Sequence, residues 1–233
     1  MPDCMVVNLG VLQYQEAWSL QQRLHKRVAE GGFPSVLLLL EHPHVYTLGR
    51  RGSTTDILVS DDKLRELGAE VQHIDRGGEV TYHGPGQLVG YPIINLRTSG
   101  LGPLKYVRAL EEILVSTLAQ LGIAATSEDK PTGVWVGDAK IAAIGVRVSR
   151  GTTMHGFALN VNPDLSYFEH IVPCGMPDAA VTSMAEQGIV VEIADVIDVL
   201  VAKFASILDF PVVRTTLDKI GEGLPVADST TST

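Results

Sequence analysis

The feature that most constrains this chain is a glycine-rich stretch at residues 76–92, with the sequence RGGEVTYHGPGQLVGYP. Its five glycines, at positions 77, 78, 84, 86 and 90, lie among residues that are typical of strands. Glycine weakens a strand, and its usual role there is a sharp bend or a close approach of the backbone to a ligand. His83 is the one group of the stretch that titrates near neutral pH. A ligand-binding wall and a structural turn in which His83 is simply hydrogen-bonded both stay open.

Spacing excludes two common kinds of glycine-rich nucleotide site. A phosphate-binding loop needs Lys and then Ser or Thr after its last glycine, whereas Gly86 is followed by Gln87 and Leu88. A dinucleotide-binding turn opens a helix, but residues 87–96 contain Pro92 and are rich in Val, Ile and Tyr, which favours a strand. We therefore expect the stretch to form the wall of a site for an extended ligand that is not a nucleotide.

The composition indicates a globular protein with an acidic surface. The chain has 233 residues, of which 45% are hydrophobic and 19% charged, so it can build a full core. Its net charge of -9 argues against nucleic acid as a partner, because phosphates require a basic surface. Arg147 and Arg150 are the candidates for a local positive patch. We predict one domain over residues 1–222 and a flexible tail at residues 223–233, where Ser and Thr are frequent.

Neither a membrane segment nor a disulfide is expected. The longest apolar run, residues 36–40, is far shorter than the ~20 residues that cross a bilayer. The N-terminal residues lack the pattern of a secretory signal. The two cysteines, Cys4 and Cys174, therefore fit free thiols in a cytoplasmic protein better than a disulfide.

Hydrophobic periodicity predicts alternating strands and helices. We predict strands at residues 4–9, 36–41, 70–74, 87–96, 134–136, 139–148 and 152–161, and helices at residues 14–29, 61–67, 103–121 and 195–208. His42 and His44 follow the second strand, but Pro43 separates them and no further ligand lies nearby, so we expect a loop at the edge of the site rather than a metal centre.

Two polar residues in apolar surroundings stand out. Strict alternation along residues 139–148 places Lys140 on the apolar face of Ala142 and Ile144, where lysine is rare. The alternative is that Lys140 lies at the end of the strand and extends its ammonium group to water. Cys174 lies between Pro173 and Gly175, and a free cysteine is more often a core residue than a nucleophile. Residue patterns alone leave both interpretations open.

Four sequence blocks resemble the octanoyltransferase family, whose members are also called lipoyl(octanoyl) transferases. The blocks are residues 76–92, residues 133–145 (GVWVGDAKIAAIG), residues 155–160 (HGFALN) and residues 173–176 (PCGM). They occur in the family's order and cover most of residues 76–176. The first block is specific by itself, whereas HGFALN and PCGM are weak signals when taken singly.

The resemblance implies a fold, an activity and a set of partners. The fold would be the single α/β (α+β) domain with a mixed β-sheet flanked by helices that lipoate and biotin protein ligases share. The octanoyl group would pass from octanoyl acyl carrier protein to an enzyme cysteine. It would then pass to a lysine on the lipoyl domain of a 2-oxoacid dehydrogenase E2 subunit or on the glycine cleavage H protein. The enzyme would act as a monomer without a cofactor, a metal or ATP.

The resemblance also assigns roles to residues. Cys174 would carry the thioester and Lys140 would stabilise its thiolate. The implied substrate contacts are Arg76, Gly77, Gly78, Glu79, Val80, Thr81, Tyr82, His83, Ala143, Ile144, Gly145, Gly156, Phe157 and Ala158. Backbone N–H groups of residues 143–145 and 156–158 would face the carbonyl oxygen as it becomes an oxyanion. Lowering a thiol pKa from about 8.5 to about 7 takes roughly 2 kcal/mol, and one ammonium at ~4 Å supplies up to about 4 kcal/mol.

Two other functions compete with this interpretation. An ATP-dependent lipoate or octanoate protein ligase on the same fold would form an acyl-adenylate and would need neither Cys174 nor an acyl-carrier donor. A non-catalytic module would bind acyl groups or carrier proteins without becoming acylated. The PCGM block, together with Lys140 in the expected order, favours the transferase.

Overall fold

The computed structural model describes residues 4–172 and 180–221. Its strands are β1 (Cys4–Val11), β2 (Ser35–Glu41), β3 (Val45–Leu48), β4 (Glu70–His73), β5 (Val80–His83), β6 (Gln87–Ile93), β7 (Val134–Val136), β8 (Ala139–Ser149), β9 (Thr152–Asn160) and β10 (Val212–Arg214). Its helices are α1 (Tyr14–Glu30), α2 (Asp61–Glu66), α3 (Pro103–Gln120), α4 (Ile193–Leu208) and α5 (Leu217–Gly221), with short 3-10 helices at Thr54–Asp56 and Leu165–His170.

The strands form two mixed sheets. Seven of them make a large sheet in the order β10-β1-β2-β6-β9-β8-β7, in which β1 is parallel to both β10 and β2 and the remaining pairs are antiparallel. The small sheet has the order β4-β3-β5, with β3 parallel to β4 and antiparallel to β5. A mixed sheet flanked by helices is the architecture that the resemblance to octanoyltransferases implies.

Helices cover both faces of the large sheet. Leu37 and Leu39 of β2 point into a cluster with apolar residues of α3 and α4, such as Leu114 and Leu200. Leu38, one position along, points into the opposite cluster with apolar residues of α1. A strand buried on both faces reads as a continuous apolar run, which is why the SVLLLLE segment was recognisable in the sequence.

Aromatic side chains fill the small sheet. Tyr46 of β3 and Tyr82 of β5 are fully buried, and Tyr82 stacks on Tyr167 of the second 3-10 helix at 5.0 Å between ring centroids. The Tyr46 hydroxyl donates to the Tyr167 carbonyl at 3.0 Å, and Tyr82 Oη shares a hydrogen bond of 2.7 Å with His44 Nδ1. The interior of this sheet is therefore hydrogen-bonded as well as packed.

Most of the expected elements are confirmed within one or two residues. The glycine-rich stretch, however, is not a continuous loop, because residues 80–83 form strand β5 and a tight turn leads directly into β6. The strands β3 and β10 were not predicted, since three or four residues give too short a pattern. The tail at residues 223–233 lies outside the described residues.

The described helices concern the expectation that no segment crosses a membrane, and the described histidines concern the expectation of a loop rather than a metal centre. Within residues 4–172 and 180–221, every helix is too short or too polar to cross a bilayer. In the same part of the chain, no three His, Cys, Asp or Glu side chains group as metal ligands. His42 instead donates from Nδ1 to the Leu12 carbonyl and accepts at Nε2 from the Tyr91 hydroxyl, both at 2.7 Å.

Candidate active site

The candidate site is a cavity, here called the main cavity, where the start of α1, the glycine-rich stretch, β8 and β9 meet. Twelve of the predicted substrate contacts line it together with Lys140: Arg76, Gly77, Gly78, Val80, Thr81, His83, Ala143, Ile144, Gly145, Gly156, Phe157 and Ala158. The structure places the other two elsewhere. Glu79 forms an ion pair with Arg51 at 3.2 Å, and Tyr82 lies in the core of the small sheet.

Arg76 is a buried cation on the wall of the main cavity. Its Nη2 donates to the carbonyl of Thr47 at 2.6 Å and to the Thr47 hydroxyl at 2.9 Å, and its Nη1 donates to the carbonyl of Gly77 at 2.9 Å. Side chains at two distant glycines would collide with it. A Cβ on Gly49 would lie 2.8 Å from Nη1, and one on Gly145 would lie 3.1 Å from Cδ. These glycines make room for a guanidinium that is only 8% exposed.

Asp75 holds two side chains next to Arg76. Its carboxylate pairs with Arg147 and accepts from His155 Nε2 at 2.9 Å. This hydrogen bond from His155 is the largest cause that lowers the pKa of Asp75. Burial lowers the pKa of His155 even though Asp75 opposes the shift, so a neutral imidazole donates to an ionised carboxylate. Arg147, a sequence candidate for a positive patch, is thus paired at the edge of the site.

His83, on the wall of the main cavity, and His42, next to it, are neutral histidines. Burial lowers the pKa of His83 to about 3, and the positive charge of Arg76 acts in the same direction. Burial also lowers the pKa of His42 to about 4. The ring of Tyr14 stacks against His83 at 6.1 Å between centroids and lies 5.0 Å from that of His42. Both imidazoles therefore act as hydrogen-bonding groups at neutral pH rather than as cations.

Lys140 lines the main cavity, and the alternation argument that placed it on the same face of β8 as Ala142 is wrong. Opposite β7, Val134 pairs with Ala142 but Trp135 pairs with Lys140, so Ile141 is an extra residue. Such a bulge shifts the side-chain alternation, and Ile141 and Ala142 both enter the same core cluster. Lys140 instead lines the main cavity, with Nζ 4.7 Å from the centre of the Trp135 ring.

Lys140 also borders a second, smaller cavity, here called the side cavity. Thr81, Ala143 and Ala158 separate the two spaces, and the side cavity continues to Gln87, Asn160, Phe168 and Val181. The main chain of Lys140 bonds the segment that follows the undescribed residues. Its N–H donates to the Ala180 carbonyl at 2.8 Å, and its carbonyl accepts from Thr182 N at 3.0 Å. Lys140 thus lines both cavities, and its backbone forms hydrogen bonds with Ala180 and Thr182.

The free edge of β8 directs one backbone amide toward the glycine-rich stretch. Gly77 N donates to the carbonyl of Val146 at 3.1 Å, so Val146 presents its polar groups to the edge away from β9. Because N–H and C=O groups of a strand alternate between its two edges, the amide of Ile144 faces that edge too. The amides of Ala143 and Gly145 face β9. Of the β8 amides expected to stabilise an oxyanion, that of Ile144 has the suitable direction.

The backbones of β6 and β9 approach closely beneath the cavity. A Cβ on Gly156 would lie 2.1 Å from the carbonyl oxygen of Gly90, and one on Gly90 would lie 2.1 Å from the ring of Phe157. Both glycines are therefore required for the two strands to pair with the Phe157 ring in place. The glycine of HGFALN and that of the glycine-rich stretch thus allow this close approach of the two strands.

Cys174, the expected nucleophile, lies outside the described residues, as does the whole PCGM block. The chain on either side of them is held by backbone bonds. Val172 N donates to the carbonyl of Asp56 at 2.9 Å, and Ala180 accepts from Lys140 as described.

Four further residues line the main cavity that the sequence did not assign to the site. They are Tyr14, Tyr91, Thr132 and His155. Tyr91 and His155 belong to the recognised blocks and could have been included. Tyr14 begins a helix whose periodicity indicated only core packing, and Thr132 directly precedes a block, so the sequence carries no signal for either.

Known proteins resemble this chain in sequence and in fold. The family model of the lipoyl protein ligase A/B catalytic domain matches residues 13–205. An octanoyltransferase of Solibacter usitatus is 50% identical over 210 residues, which cover 90% of this chain and 95% of that protein. The mitochondrial octanoyltransferase of Arabidopsis thaliana is 45% identical over 183 residues, 78% of each chain. The solved bipartite lipoate protein ligase of Thermoplasma acidophilum shares the fold, with a TM-score of 0.74, 19% identity and coverage of 93% and 88%.

Proposed function

The chain belongs to the lipoyl protein ligase A/B catalytic domain family and its activity is that of an octanoyltransferase; we propose that it works through a thioester on Cys174. The resemblance to octanoyltransferases drawn from four sequence blocks is confirmed over most of the chain. We further propose that the donor is octanoyl acyl carrier protein and that the acceptors are lipoyl domains and the glycine cleavage H protein. That the protein is a cytoplasmic monomer stays a prediction.

The observation that carries the mechanism is the position of Lys140. Its side chain lines the main cavity, as Arg76 and Ile144 do. Its backbone N–H donates to the carbonyl of Ala180, which follows Cys174 by six positions in the sequence. An ammonium close to a thiol favours the thiolate, which is the nucleophilic form. Lys140 therefore supplies the charge that a cysteine nucleophile in this region needs.

The proposed reaction has two balanced transfers. In the first, the Cys174 thiolate attacks the octanoyl thioester carbonyl, and the carrier thiolate leaves and takes up a proton from Lys140. In the second, the neutral amine of the acceptor lysine attacks the octanoyl-cysteine and the Cys174 thiolate leaves. As the amide forms, the attacking nitrogen gives its proton to Lys140, which the first transfer left neutral. The Ile144 N–H is positioned to donate to the oxyanion of each tetrahedral intermediate.

The apolar part of the cavity wall fits an alkyl chain. Val80, Ile144, Phe157 and Ala158 contribute apolar surface beside the polar Arg76. Burying the six methylenes of an octanoyl tail contributes roughly 5 kcal/mol at about 0.8 kcal/mol each. We propose that this part of the main cavity holds the acyl chain.

Intact-protein mass spectrometry tests the proposal. The full chain is mixed with octanoyl acyl carrier protein without ATP or acceptor, and we expect a gain of one octanoyl group on Cys174 that added lipoyl domain removes. Cys174→Ser must gain no thioester-linked octanoyl group. Transfer only after ATP and free octanoate are supplied would overturn the mechanism in favour of the ligase, and binding without acylation would favour the non-catalytic module.

A pair of lysine variants tests the role of Lys140. Lys140→Met should slow acylation at pH 7 on the order of 10-fold, with recovery as the pH rises toward the pKa of a free thiol, about 8.5. Lys130→Met is the matched control, because Lys130 also approaches Trp135, at 5.9 Å, but pairs with Asp138. A Lys140→Met enzyme with the pH profile of the wild type would remove Lys140 from the mechanism.

A further inference from the structure

A chain of side-chain amides connects His83 to the segment that pairs with Lys140. His83 Nδ1 lies 3.1 Å from Gln87 Oε1, Gln87 Nε2 lies 3.0 Å from Asn160 Oδ1, and Asn160 Nδ2 lies 2.9 Å from the Thr182 carbonyl oxygen. Gln87 Nε2 also lies 3.2 Å from the Tyr82 carbonyl oxygen. Gln87 and Asn160 are 1% and 4% exposed, and both line the side cavity.

Two backbone carbonyl oxygens, which can only accept, fix the direction of every hydrogen bond in this series. The Thr182 carbonyl only accepts, so Asn160 must present its NH2 group to it and its oxygen to Gln87. The Tyr82 carbonyl and the Asn160 oxygen both accept, so Gln87 must present its NH2 group to them. Gln87 Oε1 is then left facing His83, and His83 Nδ1 must carry the proton.

The second ring nitrogen of His83 is consequently an acceptor. Burial and the nearby charge of Arg76 keep the imidazole neutral, with a pKa of about 3, and Tyr14 stacks on its face. Among residues 4–172 and 180–221, none hydrogen-bonds His83 Nε2. Since the ring lines the main cavity and its Nδ1 edge is engaged by Gln87, Nε2 is the polar atom that His83 offers there.

We propose that Gln87 and Asn160 are positioning residues that hold His83 as the neutral Nδ1-protonated tautomer, so that Nε2 accepts a hydrogen bond from the attacking lysine amine. The part concerning the amine rests on the proposed function. An amine must be neutral to attack a thioester, and Arg76 already brings a cation to the cavity. An uncharged acceptor orients the amine N–H without adding a second positive charge.

The tautomer is read directly from nitrogen NMR spectra of the full chain labelled with 15N-histidine. Loss of signals in His83→Gln assigns the resonances. In the wild type we expect a protonated Nδ1, an unprotonated Nε2 and no titration above about pH 5. In Gln87→Glu the carboxylate accepts from Nδ1 and favours the imidazolium, so the titration of His83 should move up by about 1 to 3 pH units.

Outcomes that overturn the assignment are equally clear. A proton on Nε2 in the wild type would refute it without any variant, so a Gln87→Glu protein that fails to fold leaves the test decisive. A titration of His83 that is the same in Gln87→Glu and the wild type would also refute it. Gln22→Glu, the same change at an exposed position of α1, is the matched control and should leave His83 unchanged.

Single-turnover kinetics test the contact with the amine. In Gln87→Glu at a pH where His83 is charged, discharge of the octanoyl-enzyme to a lipoyl domain should slow about 10- to 100-fold, because the acceptor lone pair is lost. Formation of the octanoyl-enzyme should change less. Unchanged discharge with a charged His83 would exclude the contact. If the wild type forms no octanoyl-enzyme, the proposed function fails while the tautomer result still stands.

Discussion

The two sheets of this protein are stabilised by different interiors. The large sheet is buried between two mainly aliphatic clusters, and Leu39 is a fully buried member of one of them. The small sheet surrounds Tyr46 and Tyr82, whose hydroxyls bond Tyr167 and His44. Apolar packing depends mainly on volume, whereas hydrogen-bonded rings also require direction, so the small sheet specifies the positions of its atoms more narrowly.

Residues of both sheets form the candidate active site. The large sheet supplies β8 and β9, which carry Lys140 and the amide edge, while Thr47 of the small sheet holds the Arg76 guanidinium. His42 and His83 lie where the sheets meet, neutral and hydrogen-bonded. The apolar packing of the large sheet thus provides rigidity, and the hydrogen bonds of the small sheet provide orientation. Substitutions in the two sheets should therefore change stability by different amounts.

The largest effect should come from truncation in the aliphatic layer. Leu39→Ala removes a fully buried side chain from the cluster against α3 and α4, and we expect the free energy of unfolding to fall by about 3 kcal/mol. Leu64→Ala in the small-sheet cluster, where the side chain is 7% exposed, should cost less. Urea unfolding of both variants checks this, and an equal or larger loss for Leu64→Ala would contradict the contrast.

The next effect concerns pH and the histidines between the sheets. The folded pKa of His42, about 4, lies below the ordinary value of 6.5, so the unfolded state binds more protons between these pH values. Its contribution to stability is therefore complete above pH 6.5 and is lost as the pH falls toward 4, by about 1.4 kcal/mol per pH unit. His83 adds a similar slope that extends to about pH 3.

Unfolding curves from pH 7 to pH 5 compare variants for this slope. We expect His42→Gln to lose about 2 kcal/mol less than the wild type over that range. Leu39→Ala serves as the control, because it lowers stability without changing a titrating group, so its curve should run parallel to that of the wild type. A His42→Gln curve that is also parallel would show that His42 does not resist protonation in the fold.

The smallest effect comes from removing one hydroxyl in each layer. Tyr82→Phe breaks the bond to His44 and should cost about 1 kcal/mol. Tyr106 on α3 is equally buried, but its hydroxyl lacks a well-formed hydrogen bond within the described residues. Tyr106→Phe should leave stability unchanged or raise it slightly. Thermal unfolding of both variants tests the sign, and equal losses would remove the distinction.

The sequence predicts the fold well where buried apolar residues form a long run or recur with helical periodicity. The run in β2 and the helical periodicity of α3 and α4 are each long enough to identify an element and its buried face. The short strands β3 and β10 offer no such length. The face of Lys140 was predicted incorrectly because one bulged residue, Ile141, reverses the alternation, and nothing in the local sequence marks a bulge.

The candidate site is predictable only where its residues fall in contiguous blocks. Gly49 and Gly145 surround Arg76 but are almost one hundred positions apart, and no spacing rule connects them. The link from His83 through Gln87 and Asn160 likewise joins two blocks through the antiparallel register of β6 and β9. Residue types within a block indicate chemistry, whereas the partners that orient them depend on strand pairing.

The parallel pairing of β1 with β10 has a consequence for how the chain folds. It joins Cys4 to Val212, at opposite ends of the described chain, and contacts this distant in sequence form late because closing a long loop is entropically costly. During synthesis the edge of β1 therefore stays open until residue 214 has been made. An open strand edge pairs readily with other chains, so the nascent protein is exposed to aggregation at β1 until the three residues of β10 cover that edge.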